Sequence, residues 1–164
     1  METPTEKIHG LLKKFDTAML VTYGRDGKHH ARPMGIAKVS ESNEVWFFTG
    51  RDSEKTRELE EEEEVMLIFQ KDHTAYLSMS GHASLVSDRA AMTELWKESY
   101  KVWFPQGVND PNLLLIRIRG EDAEYWDNSG FNSVKYLFGA ARAYVTGTVP
   151  KVEEPEQHGH VEMK

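Results

Sequence analysis

The stretch from Ala18 to Gly35, Ala18-Met19-Leu20-Val21-Thr22-Tyr23-Gly24-Arg25-Asp26-Gly27-Lys28-His29-His30-Ala31-Arg32-Pro33-Met34-Gly35, decides how the chain is to be read. An apolar run ends at Gly24, an Asp-Gly turn follows, and a second extended run begins at His30 and continues to Val39. Two runs joined by a turn this short are antiparallel neighbours, since a parallel pair needs a crossover of a dozen or more residues. Pro33 lies inside the second run and cannot donate to a ladder, so this strand is expected at an edge or a bulge with backbone free for another partner.

Working outward, the same antiparallel pattern continues. Upstream, Thr3, Pro4 and Glu6 carry the capping box and first-turn proline of a helix whose Ile8, Leu11, Leu12 and Phe15 share one face. Downstream, Glu44 to Thr49 reads as a strand ending at Gly50, after which Asp52 or Ser53 caps a helix carrying Lys55, Arg57 and Leu59. Val65 to Phe69 and Thr74 to Val86 are further strands, the second long enough to bend at Gly81. Asp88 caps a helix in which Met92, Leu95 and Trp96 share a face and belong to the core. After the loop that contains Trp103 and Phe104, Leu113 to Arg119 and Ala123 to Trp126 close the sheet, and a short helix is expected from Ser133.

Crossover helices between every pair of strands are missing, and there is no repeat at solenoid periods. That argues against a doubly wound α/β fold and for a closed or nearly closed antiparallel barrel with helices at its ends. At 164 residues, with 39% apolar content and Trp46, Trp96, Trp103 and Trp126 spread along the chain, one domain over residues 1–149 is expected. Residues 150–164 are polar and aperiodic and are expected to be a disordered tail.

Composition narrows the function. The chain has no cysteine, which removes thiolate catalysis and thiolate metal sites and fits a reducing, cytoplasmic setting. No stretch approaches the roughly 20 apolar residues of a spanning helix, and the N-terminal segment has no secretory apolar core, so the expectation is neither membrane insertion nor export. Twenty Lys and Arg against 27 Asp and Glu, net −7, disfavour nucleic acid and anionic lipid. A small molecule is the better-suited ligand, and an anionic one requires a local cationic pocket.

Two stretches supply such a pocket. Trp46-Phe47-Phe48-Thr49-Gly50-Arg51-Asp52-Ser53-Glu54-Lys55 runs a strand into a helix N-terminus, where unpaired N–H groups, the Ser53 hydroxyl and the Lys55 charge make a seat for one phosphate. The same pattern also serves an ordinary capped helix with a solvated lysine. In the second stretch, Arg32 and Met34 point to one side of an extended strand, one able to grip phosphate and the other to cover a ring. The acidic run Glu60 to Glu64 reads as a solvated helix end. Adjacent His29 and His30 face opposite ways and His158 and His160 fall in the tail, so no metal site is expected.

Together these segments resemble the pyridoxamine 5'-phosphate oxidase-like superfamily of FMN-binding split barrels, and within it the bacterial general stress proteins. The resemblance spans roughly Ile8 to Trp126 and is carried by DGKHHARPMGI (26–36), VWFFTGRDSEK (45–55), YLSMSGHASLV (76–86), ELWKESYKVWFPQGVNDPN (94–112) and LLLIRIRGEDAEYW (113–126). It implies a mainly β fold, a six-stranded antiparallel Greek-key split barrel with flanking helices. It also implies a homodimer with FMN at the interface, FAD remaining open. By the resemblance the phosphate lies near Arg32, Ser53 and Lys55 and the ring near Pro33, Met34, Gly35, Phe48 and Thr49. Tyr76 is a further flavin contact, and Trp103 and Phe104 close the site from this chain or its partner.

Departures from the oxidase pattern limit what carries over. Glu54 stands where the oxidase has a phosphate-binding arginine, Ala37 stands where it has a substrate-binding lysine, and Asn128-Ser129-Gly130-Phe131 replaces its closing basic segment. Oxidation of pyridoxamine phosphate is therefore not expected. A flavin-dependent oxidoreductase acting on an unidentified small molecule is the first expectation, with no acid or base assigned. A non-catalytic flavin-binding or redox-sensing module is the alternative.

Overall fold

A computed structural model of the chain describes residues 1–151 and 157–163. The Asp-Gly turn forms as the sequence predicts: the Gly24 amide donates to the Lys28 carbonyl at 2.9 Å, and Gly27 takes φ +75°, the left-handed region where a glycine carries no Cβ penalty. It joins β1 (Thr17–Tyr23) to β2 (His29–Gly35), with Met19 opposite Pro33. The chain continues through β3 (Lys38–Val39), β4 (Glu44–Gly50), β5 (Glu64–Lys71), β6 (Ala75–Val86), β7 (Leu113–Asp127) and β8 (His158–Glu162), every pairing antiparallel.

The sheet order is β2-β1-β5-β6-β7-β4-β3, with β8 on β7. Its two edge strands, β2 and β3, are separated in the chain by Ile36 and Ala37 alone. The Ile36 amide donates to the Asp16 carbonyl at 2.9 Å while the Ala37 amide donates to Trp46 at 2.8 Å. The run from His29 to Val39 is thus one strand broken at its middle, and its halves join opposite edges of the sheet. Counted so, six strands make the split barrel and β8 is an addition.

Leu20, Phe47, Leu67, Phe69, Leu77 and Ile116 alternate inward with essentially no exposure and fill the barrel. α1 (Pro4–Leu12), capped by Thr3 and Glu6, buries Ile8, Leu11 and Leu12 in the same core. α2 (Glu54–Glu61) links β4 to β5 and buries Thr56, Glu58 and Leu59, while the acidic run that follows is exposed. A second, smaller core forms beneath α3 (Arg89–Leu95) and the 3-10 turns Glu98–Val102 and Gly107–Asn109, where Met92, Phe104 and Leu113 pack with Phe48.

Three local expectations change. Leu113 to Arg119 and Ala123 to Trp126 are one strand, β7, whose register against β6 shifts between Ser80 and Gly81. A Cβ on Gly81 would stand 2.1 Å from the Arg119 carbonyl oxygen, which is why the bend falls at a glycine. The helix expected from Ser133 is longer, α4 (Phe131–Thr146). Residues 150–164 do not form a wholly disordered tail: His158–Glu162 pair with Asp122–Trp126, burying Val161 and, just before the strand, Gln157. The cause lies in β7, which outruns β4 and leaves an unpaired edge beyond Arg119, and backbone groups fill such an edge whatever the side-chain pattern. Residues 152–156 lie outside the described residues.

Candidate functional site

Where β4 meets α2, Gly50 allows a close approach of chain segments: a Cβ there would lie 2.9 Å from the Asn112 side chain. Ser53 is the cap of α2, its hydroxyl accepting from the Thr56 amide at 3.3 Å and standing 3.2 Å from the Thr49 hydroxyl. Glu54 and Lys55, the first helical residues, have no carbonyl one turn earlier to bind, so their amides face outward with the positive end of the helix dipole.

Beside this helix end opens a cleft of about 460 Å³, within the range of ligand pockets. Its first wall is the edge strand, Pro33, Met34 and Gly35; its second is Phe48, Thr49, Ser53 and Lys55. Trp103, 77% exposed, and the buried Phe104 form the outer rim, both from this same chain. These are nine of the eleven residues singled out in the sequence.

The other two lie elsewhere. Arg32 stands one residue before the cleft wall and turns its guanidinium to Thr22 Oγ1, the His30 carbonyl and Glu58. Its charge still reaches Lys55. Burial, and secondarily Arg32, pushes the Lys55 ammonium below the ordinary lysine value, while Asp52 opposes the shift. Tyr76 sits on the outer face of β6, three strand spacings from Pro33, or about 14 Å around the barrel.

Sequence reasoning missed Gly50, Asp52, Tyr100 and Asn112 in the cleft wall. Gly50 and Asp52 lay inside the quoted segment and could have been found. Tyr100 has no local signal; it arrives because the inserted 3-10 turn packs it against Phe48, ring centroids 4.9 Å apart and planes tilted by 51°. Burial raises its hydroxyl above the usual tyrosine range.

A neighbouring cavity of about 470 Å³ contains Asp26, Glu54, Glu58, Glu60 and Glu61 against His30, Arg25 and Arg57, a poor setting for an anion. There His30, Glu54 and Glu58 present ligand atoms within 4.8 Å of one another. Glu58 already accepts from Thr22, His30 and Arg32, so a cation would have to displace bonds the protein has made.

The cleft can therefore hold a ligand with an apolar planar body and an anionic end. Residues 3–151 match the family model described as pyridoxamine 5'-phosphate oxidase like. The chain belongs to the pyridoxamine 5'-phosphate oxidase-like family. Among relatives with solved structures, a general stress FMN/FAD binding protein from Xanthomonas citri is 32% identical, with a TM-score of 0.65 over 77% of this chain and 89% of that one. General stress protein 26 from Jannaschia sp. CCS1 shares the fold of the family over 96% of this chain and 97% of its own, with TM-score 0.76 and 21% identity. Protein bli-3 of Neurospora crassa is 28% identical over 137 residues, 76% of this chain, and the match spans 65% of the length of bli-3. No helix among the described residues is long and apolar enough to cross a membrane.

Proposed function

We propose that this family member binds FMN in the cleft between β2 and the N-terminus of α2, as a general stress protein with flavin-dependent oxidoreductase activity. The observation that carries the reading is Lys55, a cation at a helix N-terminus whose charged form is disfavoured by burial and by the nearby Arg32. An anion placed there relieves that cost, and Ser53 and the outward amides of Glu54 and Lys55 add donors of the right kind. Met34, Phe48 and Trp103 offer apolar surface to an aromatic ring beside it. The relative from Xanthomonas citri, described as FMN/FAD binding, supports the same reading.

When bound, the flavin supplies the hydride and electron chemistry. The protein's part is to seat the phosphate, cover one face of the ring with Met34 and the rim with Trp103, and limit water access through Phe104. Among the described residues the titratable lining of the cleft is Asp52, Lys55 and Tyr100.

A second copy of the chain completes the proposal. Met19, Met66 and Ile68 are 37 to 44% exposed on the outer face of neighbouring strands β1 and β5, and Pro33 leads from them into the cleft. Tyr76 lies on the same outer face, opposite Gln70 of β5, which suits an interface position. Fluorescence-quench titration with FMN, FAD and riboflavin tests the ligand. Tight FMN and weak riboflavin binding is expected, and equal affinities would overturn the phosphate seat. Reduction by NADH or NADPH with reoxidation is the expected turnover; a flavin that binds and is never reduced by a nicotinamide donor leaves a binding or sensing module instead.

A further inference from the structure

Glu58 is only 6% exposed on the inward side of α2, and a carboxylate so placed is costly unless its oxygens are filled. Donors from two strands fill them: Thr22 Oγ1 of β1, and His30 Nδ1 at 2.5 Å and Arg32 Nη2 at 3.1 Å from β2. Burial pushes the carboxyl up, but these bonds outweigh it and hold Glu58 below the ordinary glutamate value, so it stays ionised. Arg32 in turn gives Nη1 to Thr22 Oγ1 at 2.5 Å and to the His30 carbonyl at 3.0 Å.

The consequence is a guanidinium gripped through both terminal nitrogens. Nη1 has both hydrogens engaged and Nη2 one of its two, while the Nε–H has no partner among the described residues. A planar fork held in this way keeps a fixed donor edge, unlike a free arginine that must lose rotamer entropy to meet an oxyanion. That edge belongs to the residue immediately before Pro33 of the cleft wall, and its charge already acts on Lys55.

We propose that Glu58 is the positioning residue that gives the cleft its preference for phosphorylated over unphosphorylated flavin, acting through Arg32. The inference rests on the flavin reading above and adds the residue that sets its selectivity. Neither Glu58 nor Arg32 lines the cleft in the free protein; on this proposal Glu58 holds Arg32 so that its Nε–H and remaining Nη2–H stay beside Lys55 for an incoming phosphate.

The test is a double-mutant cycle read by flavin fluorescence, titrating FMN and riboflavin into wild type, Glu58→Gln, Arg32→Gln and the double variant. Glu58→Gln is expected to weaken FMN about tenfold, the scale of one misplaced charge-assisted hydrogen bond, with riboflavin held within about twofold. In the Arg32→Gln background the Glu58 change should add nothing, because its effect passes through Arg32. Equal losses for FMN and riboflavin, or a loss of the same size with and without Arg32, would assign Glu58 to folding alone and overturn the inference. Arg32→Lys keeps the charge but has no planar fork, and an ammonium bound to the same three acceptors has no N–H left for a phosphate, so it should lose the preference as well, and it serves if Glu58→Gln fails to fold. Wild type that binds FMN no better than riboflavin refutes the flavin-phosphate reading itself, whereas a preference that survives Glu58→Gln refutes only the role of Glu58.

Discussion

Replacing Lys55 by alanine removes the one full positive charge in the cleft wall among the described residues. A charge-assisted hydrogen bond to phosphate contributes about 1.5–3 kcal/mol when well formed, and 1.4 kcal/mol is a factor of ten in affinity. Lys55 is partly buried, which keeps the contact from full solvent screening, but the cleft is open at its rim and Asp52 stands nearby. Those two features place the expectation in the lower half of the range, a loss of roughly 10- to 30-fold in FMN affinity. Riboflavin lacks the phosphate and should bind the variant as it binds wild type. The free protein should gain slightly in stability, since an ammonium held below its ordinary pKa destabilises the fold when charged. Titration by flavin fluorescence at fixed salt measures the first effect and urea denaturation the second. An FMN affinity within twofold of wild type would refute the reasoning, because the helix end would then serve α2 and no ligand.

Gly81→Ala forces a Cβ against the Arg119 carbonyl at the β6–β7 bulge and should lower unfolding free energy by about 3 kcal/mol in chemical denaturation; an unchanged midpoint would deny that the bend depends on glycine. Asp127 is 2% exposed and ties α1 to the end of β7, with Lys7 Nζ at 2.7 Å and the Ser129 amide at 3.0 Å. Burial raises its carboxyl, but the bonds from Lys7 and Ser129 prevail and its pKa is lowered, so the stability it adds is present above the ordinary aspartate value of 3.8 and lost as pH falls through the lower folded value. Asp127→Asn should therefore cost about 2 kcal/mol at pH 7 and flatten the acid limb of the stability profile, and an unaltered acid limb would count against this account. Ile68→Asp puts a charge on an exposed position of β5 and should turn the proposed dimer into monomers by light scattering without loss of helix or strand signal; a wild type that is itself monomeric would refute the dimer, and a variant that stays dimeric would refute this interface.

What sequence alone determined were the features that neighbouring residues settle between themselves. The Thr3–Glu6 capping box, the Asp-Gly turn, the helix start at Asp52 or Ser53 and the strands read at Ala18 to Tyr23, Glu44 to Thr49 and Val65 to Phe69 each depend on residues close together in the chain, and each formed where the pattern put it, with Ser53 as the cap. The positions of Ser53 and Lys55 were legible for the same reason, since the helix they start places both. Tertiary structure alone decided what depends on which distant strand is left open. The break at Ile36–Ala37 arises because two sheet edges must meet, β8 forms because β7 outruns β4, and Tyr100 and Asn112 enter the cleft through packing against β4. Arg32 is the sharpest case. Its own strand spacing put it on the side of Met34, but only the fold shows that a buried carboxylate 26 residues away in the chain takes one of its donors and fixes where the guanidinium stands.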